Sequence, residues 1–593
     1  MRHIALLAAL IITLAIGWAI GSAAADEMQN PRVSFTDVDW DAVQSSLAKN
    51  DLLRPEASGD SSSANEILRL NTATFERFPD IAKSSVPVLM PFDTATFLSD
   101  RAAGLDQTKS TDNYLSGFHA TKFFLAGPSG YDASFAVRPS EVASLSDLHF
   151  ADQAEVLISG SSVLYELDSF VTEVGAPVPA LEPDYPGIRR LLIESRVRYT
   201  FMRFGVPYMV SLLCFDGGPR EHQLSCRQAD RIAVRFLQSL TVVGGMPQPR
   251  PAPKPPRTVE RPLAPSPDFT YYGPGQIIPG TGMRGNSGRV DYTVYAKIRF
   301  PFAAAPAYAN SQSFMNWGDC DHTGRVPGAV HSKEAPYHCR VNDKPLVFDE
   351  SKNYTYPWQD NFCEHRWFLV GQCPAGMGHQ GQDIRPGDCH MRNEGADRCD
   401  PYQHDVVAVR DGMVLRNTKQ EAVILFVNAP GEHLRFRYLH MSPKMLDQDD
   451  MVNGRVLREG EVMGKVGNFD RRENGTTYHL HFDVQVPTRD GWMYINPYSM
   501  LVTAYERLIG GRGAEIKEEV VASAPADATQ SEVRLDGSPS AGPVNRQASI
   551  TPVAIKPEAE TNHTRRARIG HRGVKAHASA HLHTHCFRRC GRI

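Results

Sequence analysis

Residues 477–486 (TYHLHFDVQV) alternate polar and apolar positions without a break, the period-two signature of a β-strand. On that geometry His479, His481 and Asp483 share one face, and Tyr478, Leu480, Phe482, Val484 and Val486 share the other. One face is expected to be core and the other polar. An apolar run, residues 423–428, is followed by the turn Ala429, Pro430, Gly431 and a return run from Leu434 to His440, which predicts a hairpin. Leu434, Phe436, Tyr438 and His440 fall on one face of the return strand, so His440 ends an apolar stripe. Closer to the N-terminus, residues 120–125 read as a strand and residues 227–240 as an amphipathic helix.

The same patterning divides the chain. Residues 4–20 are continuously apolar, follow a weakly basic start and end at Ala23, Ala24 and Ala25, the layout of a secretory signal peptide over residues 1–25. An uncleaved anchor is the rival reading, because a 17-residue run sits at the lower edge of bilayer-spanning length. Residues 26–245 mix helical and strand patterns and predict an α/β domain of unknown role. Residues 246–267 carry nine prolines and predict an extended, semi-rigid spacer. Period-two alternation and frequent glycine turns over residues 268–509 predict a mainly β domain. Residues 510–593 lose apolar periodicity and predict a disordered tail, basic and histidine-rich at its end.

Length and composition narrow the partners. A chain of 593 residues with 41% hydrophobic and 22% charged residues exceeds one ordinary core, so two or more folded parts are expected. A formal net charge of -4 gives no global attraction to nucleic acid or to an acidic membrane surface. The ten cysteines fall into five sequence-local pairs, 214/226, 320/339, 363/373, 389/399 and 586/590. In an exported chain they read as disulfides, nearest-neighbour pairing being the simplest connectivity.

The chemistry lies in three segments. His379 and Asp383 stand four apart in GHQGQDIRP, where the glycines and Pro386 argue against a helix and for an extended or looped backbone. Gly381 between them would admit the close approach of a metal or substrate. Neutral imidazole and carboxylate are suitable zinc ligands, and a catalytic zinc site takes three protein ligands plus an open position. His479 and His481 stand about 6.6 Å apart on one strand face, so either or both could ligate. His440 taken alone would usually be a core residue.

In order, type and spacing, GHQGQD, YLHMS and HLHFDV resemble the motifs of the lysostaphin-like (LytM-type) zinc metalloendopeptidases, murein hydrolases that cut bacterial cell-wall peptides. The resemblance covers residues 377–498 and extends to a strand expected near residues 298–302. It implies an antiparallel peptidase fold, zinc on His379, Asp383 and His481, and catalytic roles for His479 and His440. It also implies a peptidoglycan peptide substrate, and the signal-peptide layout adds the expectation of a periplasmic or secreted location. This chain departs from the family in a cysteine-bearing insertion between Asp383 and Val406, in residues 316–374, and in a charged turn over residues 468–477. These loops should border the groove and affect substrate more than chemistry. Relatives that lost their ligands act as non-catalytic regulators or wall-binding modules, which is the alternative reading. A peptidase acting on proteins outside the wall is a third.

Other signals carry less. The GTGMRG segment at residues 280–285 fits a dinucleotide-binding glycine pattern but follows Pro279 and lacks a flanking strand and helix. The HLHTHC segment at residues 581–586 repeats the histidine pair without an apolar strand. Residues 563–593 hold eight Arg or Lys and no acid, which suits a solvated tail or attachment to anionic envelope polymers.

Overall fold

A computed structural model describes residues 27–517 apart from 54–65, 139–140, 149–153, 168–174, 194–195, 215–223, 250–256, 277–288, 311–318, 321–338, 342–343, 346–352, 365–367, 369, 375, 377 and 388–398. The signal-peptide segment, the GTGMRG segment, part of the proline spacer and the tail from residue 518 lie outside the described residues. Among the described residues no helix is long and apolar enough to cross a membrane.

The chain is mainly β, built on two antiparallel sheets. The first contains β1 (Phe118–Gly127), β2 (Gly130–Val137), β3 (Ala154–Ser161), β4 (Ala176–Pro177), β5 (Arg189–Ile193), β6 (Arg196–Arg203) and β7 (Val206–Leu213), in the order β1-β2-β3-β7-β6-β5-β4. Helix α1 (Cys226–Gln238) covers one face of it. Ser225 and Gln228 close a capping box at its N-terminus, and Cys214–Cys226 ties it to the end of β7. Ile232, Ala233, Phe236 and Leu237 are buried there, with the Phe236 ring edge-on to Phe118 at 5.1 Å.

The second sheet contains β8 (Ala307–Ala309), β9 (Gly381–Pro386), β10 (Gly412–Leu415), β11 (Val423–Ala429), β12 (Glu432–Leu439), β13 (Val456–Leu457), β14 (Leu480–Thr488) and β15 (Gly491–Ile495). Its order is β8-β9-β14-β12-β11-β10-β13, with β15 continuing along the β14 edge beyond β9. Leu425, Phe436, Leu480, Phe482 and Val484 form its core with helix α2 (Tyr498–Ile509). Met28, Val163 and Tyr165 from the N-terminal region also enter this core. The described residues cluster as one compact unit.

Several expectations meet corrections. Residues 298–302 form no ladder strand; they make a single bridge, Phe302 to Val406, while burying Ile298, Phe300 and Phe302. Folded structure also runs past residue 510, because Arg512–Ile516 pairs in parallel with Pro265–Tyr272. The polar face of β14 is not solvated: all nine of its residues are buried. Two of the expected cysteine pairs, Cys214–Cys226 and Cys363–Cys373, are bonded.

The first sheet covers part of that polar face. Tyr131, Ala133 and Phe135 of β2 point into the first core, so alternation turns Asp132 the other way, toward the second sheet. There Asp132 accepts from His433 Nε2 at 2.6 Å, from Arg435 at 3.0 Å and from Ser159 at 2.5 Å. Asp132 and His433 are fully buried and Arg435 is 5% exposed. Phe123 against Phe426 at 4.8 Å and Arg198 donating to the Trp492 carbonyl at 2.9 Å extend the junction.

Burial alone would raise the Asp132 carboxyl, but His433 and Arg435 beside it hold it below its ordinary value. A depressed carboxylate contributes stability above its unfolded pKa of about 3.9 and loses it as pH falls through the folded value. Asp132→Ala strands the buried Arg435 guanidinium and removes the hydrogen-bond partner of the buried His433 ring, and a loss of about 3–5 kcal/mol in denaturant unfolding is expected. Unfolding free energy measured against pH should also lose part of its acid dependence below about pH 4 in that variant.

Candidate metal centre

The centre forms where β9, β14 and the end of β12 meet. Antiparallel register sets Asp383 opposite His481 and Gly381 opposite Asp483 on one side of β14, and Leu439 opposite His481 on the other. Gly381 is required by this packing. A Cβ there would meet the Phe482 carbonyl at 2.5 Å, Asp483 Cβ at 2.8 Å and His481 Nε2 at 3.0 Å. The close approach expected at Gly381 is therefore made by the neighbouring strand and the His481 ring. His379 precedes β9 in a loop tied down by Cys363–Cys373, its N–H donating to the Glu364 carbonyl at 2.6 Å and its carbonyl accepting from Cys363 N–H at 2.8 Å.

Three donor atoms converge. His379 Nε2 lies 2.9 Å from His481 Nδ1 and 3.3 Å from Asp383 Oδ1, and His481 Nδ1 lies 3.1 Å from Asp383 Oδ1. Ligands of tetrahedral zinc at about 2.05 Å stand about 3.3 Å apart, so these separations fit a shared ion. Hydrogen bonding assigns the ring atoms: His379 Nδ1 faces the Asn361 carbonyl at 2.9 Å and His481 Nε2 faces Asp483 Oδ2 at 3.1 Å. With protons on those nitrogens, the other two ring nitrogens face each other across 2.9 Å, a gap that a bound cation or a shared proton bridges. Asp383 Oδ2 is buried without a hydrogen-bond partner among the described residues. Residues, spacing and orphaned oxygen all suit a bound divalent metal.

His479 and His440 complete the cluster. His479 Nδ1 donates to the Thr477 carbonyl at 2.9 Å, which leaves Nε2 facing Asp383 Oδ1 at 3.4 Å. His440 Nδ1 donates to the Phe469 carbonyl at 2.8 Å, and its ring lies 4.7 Å from that of His479. Its backbone is left-handed, φ 72°, a strained conformation for a residue with a Cβ. All five residues read from the sequence thus come together.

Electrostatics separates their protonation. Burial pushes His440 down to about 4, assisted by His481, and burial likewise holds His479 well below its ordinary value. Both are neutral near neutrality. At His481 burial is outweighed by the hydrogen bonds to Asp383 and Asp483, which raise it. Burial would raise Asp383, but His379 and His479 hold it well below the carboxylate range.

Three contributors escaped the sequence. The Asn361 side chain accepts from the Asp383 N–H at 2.9 Å while its carbonyl holds His379; Arg437 Nε donates to Asp483 Oδ2 at 2.6 Å. Glu421 places a carboxyl oxygen 4.0 Å from His440 Nδ1, raised to about 8 by burial and by Asp470. Arg437 was detectable only through register. Asn361 and Glu421 sit in loops with no periodic signal.

No family model matches this chain, and no curated protein matches it. One solved structure, a candidate glycyl-glycine endopeptidase LytM from Ruminococcus gnavus ATCC 29149, is similar at 22% identity over 23% of this chain and 49% of its own, with a TM-score of 0.16. The matched part spans about half of that chain's length, and a likeness of this size assigns neither fold nor function.

A metal entering this centre competes with protons for His379, Asp383 and His481, and the hydrogen bonds that raise His481 strengthen that competition. Titration calorimetry in buffers of different ionisation enthalpy should therefore record proton release on metal uptake, with affinity falling as pH is lowered. Bound metal measured after dialysis should be lost in Asp383→Ala.

Proposed function

We propose that this chain is a zinc-dependent metalloendopeptidase of the cell envelope, periplasmic or secreted, that hydrolyses peptidoglycan peptide cross-links. The observation that carries the reading is the buried convergence of His379, Asp383 and His481 beside two histidines held neutral. Zinc in such a donor set supplies a bound water whose pKa falls toward about 7 and a Lewis acid for the scissile carbonyl.

The rest falls to the chain's own groups. With Nδ1 of His440 committed to Phe469 and Nδ1 of His479 to Thr477, each presents Nε2 as the acceptor. One takes the proton of the attacking water; the other, once protonated, donates to the developing oxyanion. The positive charge of Arg385 adds to burial in keeping the His479 imidazole neutral. The substrate and the envelope location rest on the motif resemblance, the apolar stretch at residues 4–20 and the paired cysteines.

One observation favours a second reading, a non-catalytic regulator or wall-binding module. His379 is 3% exposed, Asp383 0% and His481 4%, so the three donors are screened from solvent and a bulky peptide has little access to them.

Zinc content and muropeptide release from purified peptidoglycan, measured on wild type, His481→Ala and His479→Ala, separate the two. Under the peptidase reading His481→Ala loses zinc, while His479→Ala keeps it and loses about 10²–10⁴-fold in turnover. Zinc in the wild type without turnover on muropeptides or on a protein such as casein establishes the second reading.

A further inference from the structure

We infer that Asp483 and Arg437 are positioning residues for the metal ligand His481, selecting which imidazole nitrogen faces the ion. This rests on the reading of His379, Asp383 and His481 as a metal centre. An imidazole on a strand can turn about its outer torsion and present either nitrogen, so a ligand histidine is fixed by the partner of its other nitrogen.

That partner here is Asp483, two residues along β14 and therefore on the same face. Its Oδ2 lies 3.1 Å from His481 Nε2 and accepts from Arg437 Nε at 2.6 Å. A fully buried carboxylate needs compensating charge, and Arg437 stands opposite it in register on β12. The guanidinium is in turn backed by the Tyr494 ring of β15 at 5.5 Å. On the other flank of β14, Gly381 clears space for Asp483 and His481 together. Three neighbouring strands thus contribute to one orientation, a larger provision than a simple cross-strand ion pair requires.

The arrangement leaves His481 Nδ1 as the donor atom toward Asp383 and His379, and it makes the imidazole a stronger ligand through the hydrogen bond to carboxylate. Asp483→Asn keeps the shape of the side chain while removing the charge, so it weakens the hold on the ring without opening a cavity.

The experiment measures zinc dissociation constants by chelator competition for wild type, Asp483→Asn and Asp483→Glu, alongside unfolding of the metal-free proteins. Visible spectra of the cobalt-substituted proteins report ligand geometry. Zinc affinity should fall about 10–100-fold in Asp483→Asn with an altered cobalt spectrum, and recover in part in Asp483→Glu. A metal-free protein that is destabilised while zinc affinity and the cobalt spectrum stay unchanged would mark the pair as structural and overturn the inference. If Asp483→Asn does not fold, Arg437→Lys, which keeps the charge but replaces the Nε donor, is read in the same way, and unchanged affinity again overturns it. Wild type without measurable zinc affinity overturns the metal centre itself, a failure recognisable because no variant is needed to see it.

Discussion

The register of β9 against β14 governs the centre. Asp383 sits opposite His481 because Gly381 sits opposite Asp483, and a slip of one residue would turn every side chain of β9 to the other face. What holds the register is the apolar side of the same strands. Ile384, Leu480, Phe482 and Val484 are fully buried, and each large side chain so buried contributes roughly 1.5–3 kcal/mol. Slipping β9 by one residue would exchange Ile384 for Asp383 and Arg385 on the core side. The polar geometry of the centre is thus fixed by residues that never touch it.

The opposite face of the sheet raises a different problem, because burying it places several charges in a low-dielectric setting. β12 resolves it by alternation. Its residues 433, 435 and 437 lie on one face, and the first two are answered by Asp132, Ser159 and Ser161 from the first sheet, the third by Asp483. One strand therefore carries both the junction with the N-terminal sheet and the support of a ligand histidine. The N-terminal sheet closes the far part of the face on which the ligands sit, so it bears on the centre's surroundings even though it supplies none of the converging donors.

Much of this was legible in the sequence where a period was strong. The alternation of residues 477–486 placed His479, His481 and Asp483 together, and the glycines and Pro386 excluded a helix at His379 and Asp383. The hairpin around Pro430 and the helix α1 also followed from pattern. What stayed hidden has a common cause: it depends on partners distant along the chain. Alternation cannot tell a solvated polar face from one covered by another sheet, and Asp132 lies about 300 positions from His433. Ile298, Phe300 and Phe302 alternate like a strand yet bury themselves without a ladder, since apolar alternation records burial and not pairing. The strand at Arg512–Ile516 was missed for the opposite reason, a weakly apolar segment held by backbone pairing to Pro265–Tyr272.

His440 shows how the loops enter the chemistry. It stands one residue past the end of β12, and its left-handed backbone breaks the strand geometry that placed it on an apolar stripe. Such a conformation costs about 1–3 kcal/mol and persists only when the surroundings fix it. The fixing groups are the Phe469 carbonyl, which takes its Nδ1 proton, and the Phe469 N–H, which donates to the His440 carbonyl at 3.3 Å. Phe469 lies in the charged turn over residues 468–477. The same loop therefore sets the tautomer of a proposed catalytic histidine, so substitutions there carry a cost in the orientation of His440.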